Sequence, residues 1–150
     1  MRIIGAIVLS LFITTPALAC YEQAAKAYRV DKNLLLAIAY IESRWKPNAI
    51  NVNKNGSEDL CAFQINDFHL PEIAAFGIDR NRLLTDLCAC AYVGAWILTT
   101  EIRRENSVWA GVANYHTGPK GNRERRAWYV GNVQRVYDEL TKRAADAGSR

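Results

Sequence analysis

Four cysteines, Cys20, Cys61, Cys88 and Cys90, constrain this chain more than any other feature, because an even number of thiols in an oxidising compartment is a set of cross-links that the fold must satisfy. The N-terminus says which compartment that is. Met1-Arg2 is a positive start, Ile3 to Ile13 is an almost unbroken apolar run, and Ala17-Leu18-Ala19 places small residues at alternate positions. That is the pattern of a cleaved secretory signal over residues 1–19. The apolar run falls short of the roughly 20 residues that span a bilayer, and no later segment is long and charge-free enough to span one, so no stable membrane span is expected after cleavage. Cys88 and Cys90 stand two apart in what reads as a helix, so their side chains leave on nearly opposite sides and a mutual bridge would be strained. Each is expected to pair with Cys20 or Cys61, and both pairings are open. The Cys88-Ala89-Cys90 spacing lacks the two-residue gap of a zinc site, so no metal is expected.

Removing 19 of 150 residues leaves 131, enough for one domain with its own core over residues 20–150. The formal charge of +4 falls to +3 with the loss of Arg2. A mild basic excess on an exported domain suits an anionic polymer, and scattered Lys and Arg argue against nucleic acid. Asp31 reads as the N-cap of a helix through Lys32–Ser43, closed by Lys46-Pro47. Asn48 to Asn66 changes character: Asn51, Asn53, Asn55 and Gly56 are turn formers, and Cys61 to Ile65 has short-strand content. A short helix is expected near Pro71 to Phe76, stopped by Gly77, then helices over about 86–104, 108–115 and 122–145. The sum is a mainly helical α+β domain with a small β-hairpin region.

Glu42 is the first candidate for chemistry. It is the only acid in a helix otherwise filled by Leu34 to Ile41, and Ile38 lies one turn before it on the same side. Partial burial and the negative end of the helix dipole both work against a bare carboxylate at that place. A carboxyl group able to deliver a proton is what glycosidic bond cleavage requires. The bland reading is a solvated glutamate at a helix end. Asp59, at the start of the strand-like turn, could face Glu42 across a groove in the two-carboxylate arrangement of glycosidases, although alone it reads as a turn or cap residue. Trp96, inside the apolar Val93 to Leu98 run, reads as core; Trp45 reads as a groove wall, and His69 as a helix-start residue.

The segments Ala39-Tyr40-Ile41-Glu42-Ser43, Asn48-Ala49-Ile50-Asn51 with Asn55-Gly56-Ser57, Asp59-Leu60-Cys61-Ala62-Phe63-Gln64-Ile65-Asn66, and Ala113-Asn114-Tyr115-His116-Thr117-Gly118 together resemble the ordered signature of soluble lytic transglycosylase domains. The resemblance covers nearly the whole mature chain. It is nearest to the small periplasmic members that accompany type III and type IV secretion, conjugation and pilus systems, and it implies a lysozyme-like fold. On that resemblance Glu42 is the catalytic acid and then base, and Ser43 helps to orient it or the substrate. Gln64, Ile65 and Asn66 line the sugar cleft, and Tyr115 is the cleft tyrosine of a tyrosine-asparagine-alanine-glycine motif. The substrate would be peptidoglycan glycan strands, the product a 1,6-anhydro end, and the protein a periplasmic monomer needing no cofactor. Family members with a cysteine at the mature start and one before the long helix suggest Cys20 with Cys88, leaving Cys61 with Cys90.

Two departures from the family pattern stand out. Cys61 replaces the glycine of a glycine-leucine-methionine-glutamine-isoleucine-asparagine motif, which alters backbone approach to the sugar there. His116 replaces the asparagine after the cleft tyrosine and could hydrogen-bond the sugar, titrate near neutrality or simply pack. Asp59 stands where animal lysozymes carry a second carboxylate, so hydrolysis is the rival reaction, and a non-catalytic glycan-binding module is the rival from another class.

Overall fold

The structure is a computed structural model that describes Pro16 to Ser149. In chain order it contains α1 (Pro16–Tyr28), α2 (Lys32–Ser43), three short strands β1 (Ile50–Val52), β2 (Glu58–Leu60) and β3 (Ile65–Asn66), then α3 (Leu70–Ile73), α4 (Arg80–Thr85), α5 (Leu87–Glu105), α6 (Val108–Thr117) and α7 (Arg123–Gly148). This is the mainly helical α+β architecture expected. The strands form one antiparallel sheet in the order β1-β2-β3. Of the expected signal peptide, residues 1–15 lie outside the described residues, and Pro16 to Ala19 form the first turn of α1.

α2 runs through the core because it is apolar almost all round: Leu35, Ala37, Ile38 and Ala39 are fully buried. Asp31 caps its start by accepting from the Asn33 amide at 2.7 Å. Its end differs from the proline stop expected. Arg44 and Trp45 both take left-handed backbone, with φ of 57° and 61°, and their amides return to the Tyr40 and Ala39 carbonyls. The chain therefore turns sharply just after Glu42 and Ser43, before Pro47 is reached, satisfying carbonyls that a helix end leaves orphaned.

α5 is the other organising helix, capped by Asp86, which accepts from the Ala89 amide at 3.0 Å. Two residues apart on it, Cys88 and Cys90 leave in different directions and reach different elements. Cys88 bonds Cys20 of α1, and Cys90 bonds Cys61 at the end of β2. The bridges span 68 and 29 residues of sequence, and each closes enough chain to stabilise by about 4 kcal/mol on a loop-entropy account. Gly94, one turn after Cys90, has no room for a side chain: a Cβ there would meet the Phe63 ring at 2.5 Å. Phe63, itself fully buried, thus seats the loop between β2 and β3 directly on α5.

That loop corrects the expectation of strand over Cys61 to Ile65. Cys61 to Gln64 is a turn, with Cys61 at φ 60° and Gln64 at φ 49°, and only Ile65-Asn66 pairs back on β2. α4 was not foreseen; its N-cap, Asp79, accepts from the Arg82 amide at 2.7 Å.

Candidate active site

A cleft of about 1460 Å³ separates the end of α2 and the last turn of α6 from the sheet, with α5 contributing Trp96 and Glu101 to its lining. Glu42 enters it from one side. Its side chain is only 12 % exposed, and Oε1 accepts a 2.5 Å hydrogen bond from the Tyr129 hydroxyl. Tyr129 is fully buried in α7, on a helical stripe with the buried Val133 and Val136. Burial first, then the charge of Glu42 and the hydrogen bond to it, push the Tyr129 hydroxyl well above its ordinary range, so it stays a donor.

Asp59 enters from the other side and is held quite differently. It is paired across the sheet with Asn51 on β1 and Asn66 on β3. Its Oδ1 accepts from the Asn66 amide at 2.7 Å, and its Oδ2 from Asn53 at 2.9 Å and Asn51 at 3.3 Å. Residues that read as turn formers in sequence thus converge as amide donors on one carboxyl group.

Tyr115 lies between the two carboxyl groups electrostatically. Its hydroxyl is pushed well above the usual range by burial, with Glu42 and Asp59 both adding to the shift, and it donates to the Phe63 carbonyl at 2.8 Å. Gln64 lines the cleft while its amide donates to the Cys61 carbonyl at 3.1 Å. Ile65 forms buried floor, and Asn66 also donates to Ser57 Oγ at 3.1 Å. Cys61 occupies the left-handed conformation for which the family pattern keeps glycine; the side chain costs about 1–2 kcal/mol there. Its bridge to Cys90 more than offsets that cost.

Ser43 is not part of the cleft wall; its hydroxyl donates to the Ala62 carbonyl at 2.8 Å and ties the end of α2 to the β2–β3 loop. His116 is on the wall, stacked flat on Tyr129 with ring centroids 4.2 Å apart. Its Nδ1 lies 3.8 Å from Glu42 Oε1, and its Nε2 accepts from Arg125 Nε at 3.2 Å. Below it Asn114, buried in α6, donates to Glu101 at 3.0 Å and to Glu105 at 2.8 Å, and accepts from Arg126 at 2.6 Å. This network anchors the turn that presents Tyr115 and His116.

The tryptophans exchange places relative to expectation. Trp96 is half-buried and lines the cleft, edge-on to His69. Trp45 lies outside it, 42 % exposed, packed on Tyr40 and donating its indole N–H to the Leu36 carbonyl at 2.8 Å. His69 also lines the cleft, with a buried Nδ1 that has no hydrogen-bond partner, and burial above all lowers its pKa. Tyr129 and Arg125 went unnoticed in the sequence. The helical spacing of Tyr129, Val133 and Val136 was the available signal, since a buried tyrosine needs a partner for its hydroxyl.

A mainly helical domain with a small three-stranded antiparallel sheet beside a long cleft is the lysozyme-like fold that the sequence implied. A family model described as "Transglycosylase SLT domain" matches residues 19–132, and the chain belongs to that family. It is a peptidoglycan lytic transglycosylase by class, as the sequence implied. The chain is 36 % identical over 137 residues to "Invasion protein IagB" of Salmonella typhi, covering 91 % of this chain and 86 % of that one. It is 33 % identical over 120 residues to "Protein IpgF" of Shigella flexneri, covering 79 % and 78 %. Among solved structures, the inactive glutamate-to-glutamine mutant of lytic transglycosylase Slt from Pseudomonas aeruginosa superposes on 86 % of this chain with a TM-score of 0.65 at 22 % identity. The chain spans 24 % of that protein's length, and the likeness is one of fold.

Proposed function

We propose that Glu42 cleaves the β-1,4 bond between N-acetylmuramic acid and N-acetylglucosamine by acting first as acid and then as base. The observation that carries this is the Tyr129 hydrogen bond. It engages Oε1 and leaves Oε2, for which no hydrogen bond occurs among the described residues, to carry the reacting proton. Glu42 gives that proton to the bridging oxygen as the glycosidic bond breaks, and positive charge develops at the anomeric carbon. The Glu42 carboxylate then takes the proton of the muramic 6-hydroxyl as that oxygen attacks the same carbon. The product is a 1,6-anhydro end, and no water is consumed. Gln64, Asn66 and Tyr115 line the path of the glycan strand, and Ser43 acts through the loop it ties to α2.

Asp59 favours a second reading. A carboxyl group fixed by three asparagine amides in the same cleft suits electrostatic stabilisation of the oxocarbenium-like state, and equally the hydrolysis that lysozymes perform. Mass spectra of digested peptidoglycan separate the two, because the anhydro end is one water lighter than the hydrolysed end. Zymography with wild type and Glu42→Gln tests the assignment itself: clearing by the Glu42→Gln variant would sink it, and with it the non-catalytic alternative would be judged.

The setting we infer is the periplasm, with a monomer opening the wall locally for a secretion or conjugation apparatus. Support comes from the resemblance to small secretion-associated members, from the N-terminal signal pattern, and from a relative bearing the name invasion protein. Pull-down with the Glu42→Gln protein as bait should recover components of such an apparatus; their absence would sink that setting and leave the chemistry standing.

A further inference from the structure

His116 stands where the family pattern carries asparagine, and its surroundings determine which of its nitrogens holds a proton. The Arg125 guanidinium can only donate, so the Nε2 that receives its Nε–H at 3.2 Å must present a lone pair. The imidazole is therefore neutral with its single proton on Nδ1, the nitrogen 3.8 Å from Glu42 Oε1. A second proton on Nε2 would set two cations face to face. The flat stack on Tyr129 keeps the ring beside the hydroxyl that already donates to the same oxygen.

We propose that His116 is a positioning residue, its tautomer fixed by Arg125, that steadies Glu42 in the carboxylate state it passes through between its two proton transfers. The inference rests on the reading of Glu42 as acid and then base. While Glu42 holds its proton, Tyr129 alone donates to Oε1. Once the proton has gone to the glycosidic oxygen, a movement of about 1 Å brings Nδ1–H within hydrogen-bond reach of the new charge. Neutrality matters for the first step. A permanent imidazolium beside Glu42 would favour the carboxylate before the substrate had been protonated, and Arg125 prevents it. The charged and titratable groups facing the ring are Glu42 from α2 and Arg125 and Tyr129 from α7, with Tyr115 its neighbour on α6.

The test uses the full mature chain acting on soluble glycan strands, with anhydro ends counted across mildly acidic to mildly basic pH. His116→Asn should lower kcat about tenfold while KM stays within about twofold, the signature of a group that acts through the acid and does not grip the sugar. Arg125→Gln, an exposed change that removes the donor fixing the tautomer, should lower kcat in the same direction as His116→Asn while KM stays within about twofold. Nitrogen-15 spectra of wild type should show Nδ1 protonated and Nε2 bare, and Arg125→Gln should mix the two tautomers. A wild-type proton on Nε2, an unchanged kcat in His116→Asn at every pH, or a rise in its KM alone would overturn the proposal. Glu42→Gln separates the two failures: if it is dead while His116→Asn is normal, only this inference falls, and if Glu42→Gln is active, the reading beneath it falls first. Should His116→Asn fail to fold, Arg125→Gln and the spectra decide.

Discussion

The two carboxyl groups that face each other across the cleft are held in opposite ways. Glu42 receives one strong donor, on one oxygen, from a tyrosine 87 residues away in sequence, and its other oxygen is left to the cleft. Asp59 receives three amide donors, spread over both oxygens, all from within eight residues of itself. A group that must give up and regain a proton needs a free oxygen and a protonated neighbour. A group that contributes only fixed charge is better surrounded by neutral donors that hold it still. On the proposed reading, the same side-chain chemistry takes two tasks from its surroundings.

Glu42→Gln should break the comparison outright. The amide cannot exchange the proton, and activity on peptidoglycan should fall by about a thousandfold or more with the melting temperature little changed. If Glu42→Gln stayed active, the tasks would have to be reversed. Tyr129→Phe should cost less, about ten- to a hundredfold in kcat, because Glu42 remains but its Oε1 loses the donor that orients it. Denaturant titration should show a stability loss of about 1–2 kcal/mol for that missing hydrogen bond. A Tyr129→Phe enzyme with wild-type kcat would show that Glu42 needs no orienting partner. Asp59→Asn removes the fixed charge while keeping the size, and a fall of about tenfold with anhydro ends still formed is expected. If it matched Glu42→Gln in severity, Asp59 would be a reacting group and the hydrolytic reading would gain.

The smallest effect belongs to His69, on the same side as Asp59. Burial lowers its folded pKa below the ordinary 6.5, so as pH falls through that value the unfolded chain takes up a proton that the folded one refuses. Stability should therefore decline on mild acidification, until the folded value is reached, and the decline should flatten in His69→Gln. Thermal melts over that pH range check it, and equal slopes for the two proteins would refute it.

The contrast between the two carboxyl groups also shows how far local pattern reaches. Glu42 was legible because α2 is apolar everywhere else, and a lone acid in such a helix is conspicuous whatever packs against it. Asp59 was legible as a position but not as an environment. Asn51 and Asn53 read as turn formers, and only the strand register aims them and Asn66 at one carboxyl group. Trp45 and Trp96 were misplaced for a related reason. Closeness in sequence to Glu42 suggested the cleft for Trp45, yet the left-handed residues after α2 carry it away from the cleft. An apolar run suggested burial for Trp96, yet α5 shows part of that run to the groove.

Composition, periodicity and motif order were enough for the helical class, for the separate directions in which Cys88 and Cys90 leave α5, and for the helix-end glutamate, because each of these depends on neighbours within a few turns of chain. The partners of that glutamate depend on how α2, α6 and α7 cross. A hydrogen bond of 2.5 Å between residues 87 positions apart is set by packing that no local window contains. Tertiary structure alone therefore brought Tyr129, His116 and Arg125 to Glu42.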